Sequence, residues 1–344
     1  ARYDWIRRMV RAAAVRPQIE GVDLEGVVYL DSLAQTDCMI KRARRKKKAV
    51  VIGGGITAIE IVEGLIARGV AVDFFIRGER YWNRVLDEIE SRMIEARLQH
   101  DGVRIHKHTE ADRIIGKKGQ VAGVVTKDGR IHNTRMVAFS IGVTPRIGLA
   151  KRSGLDTGRG IRVNEYLESS AVDIFAAGDV AETFDPVSES WMVDSLWSPA
   201  RYQGHVAGLN MAGQRQGYRR RSALNVTRLT GLTTTIIGRV GTSGKDDDEE
   251  FSIVRGESES WQQLPNAIVC QNNFDVNRLR IMVGDTRLAG ALLMGDQSLS
   301  SALEDLVREE VDITRIRESL VTPGADLGSI LFNHWQRWRQ SNAN

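Results

Sequence analysis

One stretch joins residue types that can do chemistry at a spacing that suits it. Val50-Val51-Ile52-Gly53-Gly54-Gly55-Ile56-Thr57-Ala58-Ile59-Glu60 passes from an apolar run through three glycines into helix-forming residues. Gly53 permits a tight turn, Gly55 lets an anion approach bare backbone, and Ala58 is small enough for a helix to pack closely on a strand. Amides in the first turn of a helix lack intrahelical partners and sit at the positive end of its dipole, so phosphates would rest over Gly54, Gly55, Ile56 and Thr57. The chemistry implied is the binding of a dinucleotide pyrophosphate. Other reactive side chains are sparse. Cys38 and Cys270 lie far apart, which leaves no disulfide framework, no CxxC pair and no thiolate metal site. His106 and His108 share a strand face with no third ligand in view; they are read as surface residues, and no metal is expected.

The elements needed to position the glycines are legible around them. Lys48 to Ile52 reads as a buried strand, Ile56 to Arg68 as a helix closed by Gly69, and Val70 to Ile76 as a second strand, which makes a βαβ unit. Leu86, Ile89, Met93, Ile94 and Leu98 fall at helical spacing before Gly102, and Val103 to Ile105 follows as a third parallel strand. The period then becomes two: Ala111 to Ile115, Val121 to Thr126, an Asp128-Gly129 turn and Ile131 onward form an antiparallel meander. Met136 to Ile141 returns to the parallel sheet and ends at Gly142.

Further on, Gly160 to Val163 and Ile174 to Ala177 are expected as short strands, the second running into Gly178-Asp179 and a loop rich in acidic and small residues. Ser198 is read as the N-cap of a helix with Pro199 in its first turn, ending before Gly213. Strands are expected over Thr233 to Val240, Phe251 to Val254, Leu279 to Val283 and Leu288 to Met294, with a Gly284-Asp285 turn and a helix over Ser300 to Glu309. Asp246 to Glu250 is a solvated acidic loop. The opening Ala1 to Asp31 is irregular: Arg7, Arg8, Arg11 and Arg16 interrupt Ile6, Met9, Val10 and Val15, so neither a strand nor a helix period emerges before a short strand ending at Leu30.

With 344 residues, two or more compact units are expected. The formal charge of +4 is mild, and much of it lies in Lys41-Arg42-Ala43-Arg44-Arg45-Lys46-Lys47-Lys48. No aromatic residue interleaves that run, so a solvated linker is the reading and nucleic-acid binding is not expected. Trp335 and Trp338, between arginines, are read as a docking tail. No apolar stretch is long enough to span a bilayer. A reducing, cytoplasmic setting is the default expectation; the chain opens on Ala1 rather than Met, so no leader can be read.

Three segments in order resemble the FAD-dependent pyridine nucleotide-disulfide oxidoreductases, the broad group of glutathione, rubredoxin, ferredoxin and nitrite reductase flavoproteins. They are the Gly53 to Glu60 turn, Ala138-Phe139-Ser140-Ile141-Gly142-Val143-Thr144-Pro145, and Val172-Asp173-Ile174-Phe175-Ala176-Ala177-Gly178-Asp179. The resemblance implies an α/β architecture of FAD- and NAD(P)-binding Rossmann-like domains: residues 1–44 as the tail of a first FAD-domain half and a basic linker, 45–145 as an inserted NAD(P) domain with its meander, 146–220 as the second FAD half, and 221–344 as a C-terminal α+β domain and tail. Related enzymes commonly dimerise through that last domain. The family's first glycine turn, which holds the ADP half of FAD, has no counterpart before Gly53, and where the family has an apolar strand ending in Ala-Thr-Gly this chain reads Ile6 to Ala14. The chain as written therefore reads as part of a flavoprotein.

By the same resemblance Asp179 accepts hydrogen bonds from the ribityl or phosphate side of FAD, Gly142 and Gly178 belong to cofactor-contacting boxes, and the helix at Ser198 and Pro199 aims its positive end at the flavin. That helix could equally be a plain packing element. Glu60 matches a glutamate near the nicotinamide, or is merely solvated. Asp73 falls near the usual distance for a ribose-binding acid, but Phe74, Phe75 and Ile76 continue the strand beyond it. The tip residue is Arg77, with Arg80 and Arg84 behind, and a guanidinium takes a 2′-phosphate bidentately; the expectation is NADPH, with NADH as the other candidate. The expected function is an NAD(P)H oxidoreductase passing hydride to FAD and then to an unidentified acceptor. The alternative is a non-catalytic NAD(P)-binding protein that holds no flavin.

Overall fold

The computed structural model describes residues 12–43, 48–185, 189–240, 268–274 and 277–342. The opening residues Ala1 to Arg11, the centre of the basic run from Arg44 to Lys47, the acidic loop Asp246 to Glu250 and the expected strand Phe251 to Val254 lie outside the described residues. The described chain is mixed α/β and divides into two units, one of residues 12–144 and one from residue 145 onward.

The first unit runs β1 (Ala12–Ala14), β2 (Val27–Tyr29), α1 (Leu33–Ala43), β3 (Lys48–Ile52), α2 (Ile56–Ile66), β4 (Ala71–Phe75), α3 (Glu88–His100), β5 (Arg104–His106), β6 (Ala111–Lys117), β7 (Gln120–Thr126), β8 (Ile131–Asn133), β9 (Val137–Phe139) and β10 (Val143–Pro145). Five parallel strands lie in the order β2-β9-β3-β4-β5, and β6-β7-β8 form the antiparallel meander. Ala49, Val50 and Val51 are fully buried, as a strand covered on both faces requires. On one face α2 packs through Ala58, Ile59, Val62 and Leu65, a helical stripe. On the other, Val50, Ile52, Phe75, Val137 and Phe139 meet Ile114, Val121 and Val124 of the meander. The irregular opening nonetheless yields a strand: β1 pairs with β10, and the Val15 N–H donates to the Gly142 carbonyl at 2.9 Å. Three alanines offer no hydrophobic period, so this strand is set by its backbone partner.

Ile52 sits opposite both Phe75 and Phe139, so three central strands end level and the glycine turn leaves from that edge. The Ser140 N–H donates to the Ile52 carbonyl at 2.8 Å, and the Gly53 N–H to the Phe75 carbonyl at 3.2 Å. A methyl on Gly53 would collide with the Ser140 carbonyl oxygen. α2 gives way to a left-handed Gly69 (φ 70°). α3 opens with a reciprocal capping box, Asp87 accepting from the Glu90 N–H and Glu90 from the Asp87 N–H, both at 2.8 Å.

Asp73 is buried in β4 at 1% exposure. Its carboxylate meets Arg104 Nε at 2.6 Å, Lys48 Nζ at 3.0 Å and His106 Nε2 at 3.1 Å. The expectation of two surface histidines on one face fails. His106 is the last residue of β5 and pairs with Asp73, while His108 lies past the strand in a left-handed conformation (φ 49°) and is exposed. A third ligand-type group is also present, since donor atoms of Asp73, His106 and His132 lie within 4.8 Å of one another. Lys48 and Arg104 already bring two positive charges to that carboxylate, so the cluster works as an ion-pair knot. Burial pushes the Asp73 carboxyl up, but hydrogen bonds from Arg104, Lys48 and His106 outweigh it and hold the group at about 2. Burial, with the neighbouring His106 adding to it, pushes His132 down, which favours a neutral ring.

The second unit runs α4 (Gly148–Arg152), β11 (Ile161–Val163), a 3₁₀ turn (Gly178–Val180), β12 (Ala181–Asp185), β13 (Ser190–Met192), α5 (Trp197–Met211), β14 (Leu224–Leu229), β15 (Leu232–Gly238), β16 (Ile268–Phe274), β17 (Asn277–Val283), β18 (Leu288–Met294), α6 (Ser300–Arg308), α7 (Arg317–Val321) and α8 (Leu327–Asn342). β12 pairs parallel with β11 and antiparallel with β13. The strand expected over Ile174 to Ala177 is instead a single bridge from Phe175 to Glu168, because left-handed residues Asp173 (φ 63°) and Gly178 (φ 75°) turn the chain on either side. The strand lies after the turn, where a loop was expected. The C-terminal sheet is antiparallel in the order β14-β15-β18-β17-β16, and Ile237, Ile281 and Leu293 pack against Leu303 and Leu331. The expected docking tail is α8: Trp335 and Trp338 pack on that core, and Trp335 Nε1 donates to Asp305 Oδ2 at 2.8 Å.

Gly53→Ala should therefore lower unfolding stability by about 2 kcal/mol or more, since the clashing partner is backbone that cannot move aside; urea unfolding followed by circular dichroism measures it. The depressed Asp73 carboxyl contributes stability that is present above its unfolded value near 3.8 and is lost as pH falls towards about 2. Asp73→Asn should cost roughly 2–4 kcal/mol at neutral pH and flatten that acid limb of the stability profile.

Candidate nucleotide-binding site

The glycine turn combines a crowded residue with two open ones. Gly53 packs against Ser140, and Ala58 is fully buried below it. A side-chain carbon built on Gly54 or Gly55 meets nothing within 4 Å. Gly55 is the N-cap of α2 in extended geometry and no side chain caps the helix, so Ile56, Thr57 and Ala58 provide the first-turn amides. The cradle is one that a Cβ would fill, and it suits an anion that approaches backbone closely. Glu60 follows one turn later with its side chain exposed, and partial burial of the carboxyl pushes it upward.

At the neighbouring strand end, Ile76 is buried and its N–H donates to the His106 carbonyl at 2.9 Å. Arg77 is the first exposed residue beyond it; Arg80 is half-buried and paired with Glu79, and Arg84 is exposed. Asp73 lies two residues inside the strand end with its carboxylate committed to Lys48, Arg104 and His106. The first unit thus brings together the open glycines and a strand tip bearing arginine. Sequence reasoning missed Tyr81, whose hydroxyl donates to the Gly55 carbonyl at 3.2 Å. Nothing in its local pattern separates it from an ordinary loop aromatic.

In the second unit Gly178 is buried and left-handed, and its N–H donates to Gln203 Oε1 at 2.7 Å. Gln203, buried on α5, donates in turn to the Tyr218 hydroxyl at 3.3 Å; burial pushes Tyr218 up to about 12. Asp179 sits in the 3₁₀ turn rather than at the tip of a strand, and burial pushes its carboxyl up. Ser198 is not the N-cap. Leu196 holds the extended N-cap conformation, so Trp197, Ser198 and Pro199 form the first turn of α5, where the missing proline N–H costs no helical bond. Arg220 fixes the segment before that helix with a bidentate pair to Asp194 at 2.8 and 2.9 Å and a contact to Asp185 at 3.3 Å. Gly142, at the end of the first unit, is left-handed (φ 112°). No helix among the described residues is long and apolar enough to cross a membrane.

The profile of the pyridine nucleotide-disulphide oxidoreductase family matches residues 12–204. An NADH oxidase of Methanocaldococcus jannaschii is 31% identical over 61% of this chain and 47% of its own length. A CoA-dependent NAD(P)H sulfur oxidoreductase of Pyrococcus abyssi is 34% identical over 68% of this chain and 54% of its own. Among solved structures, an engineered water-forming NADPH oxidase, a mutant of the Lactobacillus brevis NADH oxidase, superposes with a TM-score of 0.75 at 20% identity, covering 96% of this chain and 75% of that one. The chain spans about half the length of these two curated relatives. More than half of it lies within the family match, and the chain belongs to the pyridine nucleotide-disulphide oxidoreductase family.

Proposed function

We propose that this chain is the pyridine-nucleotide-binding part of an FAD-dependent oxidoreductase that takes reducing equivalents from NADPH and passes them to an acceptor. The observation that carries the reading is the open face over Gly54 and Gly55, beside a strand tip that bears Arg77 and not a carboxylate. The first-turn amides of α2 would take the pyrophosphate, and Arg77, with Arg80 and Arg84 close in sequence, the 2′-phosphate. The engineered oxidase supports NADPH over NADH. Its substitutions exchange a glycine for alanine, remove an aspartate eighteen positions later and bring in an arginine one position beyond that. This chain has Ala58, Ile76 and Arg77 at the same separations.

Bound FAD would supply the two-electron acceptor for the nicotinamide hydride. Of the residues here, Gly178, Asp179 and the first turn of α5 at Ser198 and Pro199 fit its ribityl and pyrimidine side: a half-buried carboxyl, a left-handed glycine and a helix start. Gln203 and Arg220 keep that helix in register with the turn. Hydride transfer needs orientation and exclusion of water, and no general acid or base is assigned.

The test is spectroscopic. Chain incubated with FAD and then desalted should retain flavin absorbance, and anaerobic NADPH should bleach it. Loss of all flavin with NADPH binding intact would overturn the redox reading and leave a nucleotide-binding chain. Arg77→Ala should raise the NADPH dissociation constant roughly tenfold or more while changing that for NADH by less than about twofold, the size of one charge-assisted contact; calorimetric titration with each nucleotide separates the two.

A further inference from the structure

Tyr81 contacts three elements of the first unit, one of them the glycine turn of the proposed nucleotide cradle. Its side chain is fully buried, with its ring 6.1 Å from that of Phe74 on β4. Its backbone is tied to α3 at both polar atoms: the N–H donates to Glu95 Oε1 at 2.7 Å, and the carbonyl accepts from Ser91 Oγ at 2.8 Å. Lys107 Nζ holds the other oxygen of Glu95 at 2.6 Å. The Tyr81 hydroxyl reaches across to the Gly55 carbonyl at 3.2 Å.

That carbonyl begins α2. It accepts from two donors, its helical partner the Ile59 N–H at 3.4 Å and the phenol at 3.2 Å, both long for their type, so the helical bond alone does not fix it. In a trans peptide the carbonyl and the following N–H point in opposite directions. Holding the Gly55 carbonyl towards Tyr81 therefore turns the Ile56 N–H away from it, as the first amide that a phosphate at the start of α2 would meet. Arg77 and Arg80 precede Tyr81 in the same loop and Arg84 follows it. One buried side chain thus connects the peptide facing the pyrophosphate to the loop whose arginines would meet the 2′-phosphate.

We propose that Tyr81 is a positioning residue for nucleotide binding: it locks the Gly55–Ile56 peptide and sets the glycine turn and the arginine loop as one preorganised piece. The inference rests on the NADPH reading above. The test compares wild-type chain with Tyr81→Phe, which keeps the ring and removes the hydroxyl, by titration with NADPH and with adenosine 2′-monophosphate, which lacks the pyrophosphate. The expected result is about a fivefold weaker NADPH affinity, the size of one hydrogen bond, with the monophosphate affinity unchanged. Amide exchange at Ile59 should be faster in the nucleotide-free variant. Equal losses for both ligands, or unchanged NADPH affinity, would overturn the positioning role. Should Tyr81→Phe fold poorly, Tyr81→Met, which also lacks the hydroxyl but can refill the site, is titrated with the same two ligands; an unselective loss or no loss there overturns the role equally. A wild-type chain that binds neither NADPH nor NADH sinks the nucleotide reading and this inference with it, whereas wild-type binding with an unaltered variant sinks this inference alone.

Discussion

The first unit depends on how closely the backbone of Gly53 approaches the carbonyl of Ser140. Two parallel strands end side by side there, and any side chain between them would force them apart. With the hydrogen carried by glycine, β3 and β9 finish level, the Ser140 amide reaches the Ile52 carbonyl, and the chain can swing directly into α2. Ala58 continues the same constraint one turn later, since its small side chain lets the helix settle on the sheet. The open position of Gly55 follows from these two tight ones.

Around this centre, buried charges are spent on holding segments in register. Asp73 ties β4 to β5 through Arg104 and His106, and to β3 through Lys48. In the second unit Arg220 joins Asp185 at the end of β12 to Asp194 ahead of α5. In both groups the carboxylates are nearly removed from water, a situation tolerable only when each has close partners of opposite sign. A carboxylate bound by three neighbours inside β4 is ill placed to serve a ligand at the strand end, which leaves that task to whatever stands at the tip.

The parts legible in the sequence are those governed by local period and by glycine. The βαβ unit, the meander and the C-terminal strands at Leu279 and Leu288 follow from runs of apolar residues at spacings of two or 3.6. The failures come from geometry that residue type does not reveal, some of it fixed by distant partners and some by local backbone angles. Ala12–Ala14 has no pattern and becomes a strand because β10 is beside it. Ile174 to Ala177 has strand-like residues and is bent by the left-handed residues that bracket it. Ser198 has the chemistry of a cap, but the helix begins two residues earlier than that cap implies, with Leu196 in the extended conformation. The role of His132 beside His106 joins residues on separate strands, as does the burial of Arg278 and Arg280 on a sheet that otherwise reads as apolar. At the candidate site the glycine turn between strand and helix, and Arg77 just beyond the strand end, were readable as positions, whereas the contact of Tyr81 was not, since its partner lies in another element.

Gly54 and Gly55 differ from Gly53 in a way that separates two demands usually entangled in one motif. Gly55 adopts backbone angles open to any residue, and neither position has a neighbour to crowd. An alanine at Gly55 would leave the folded chain intact and would occupy only open space. Within three consecutive identical residues, then, architecture claims the first, while under the proposed nucleotide reading the third serves the guest molecule, so that a single added methyl would test the cradle without loosening a strand.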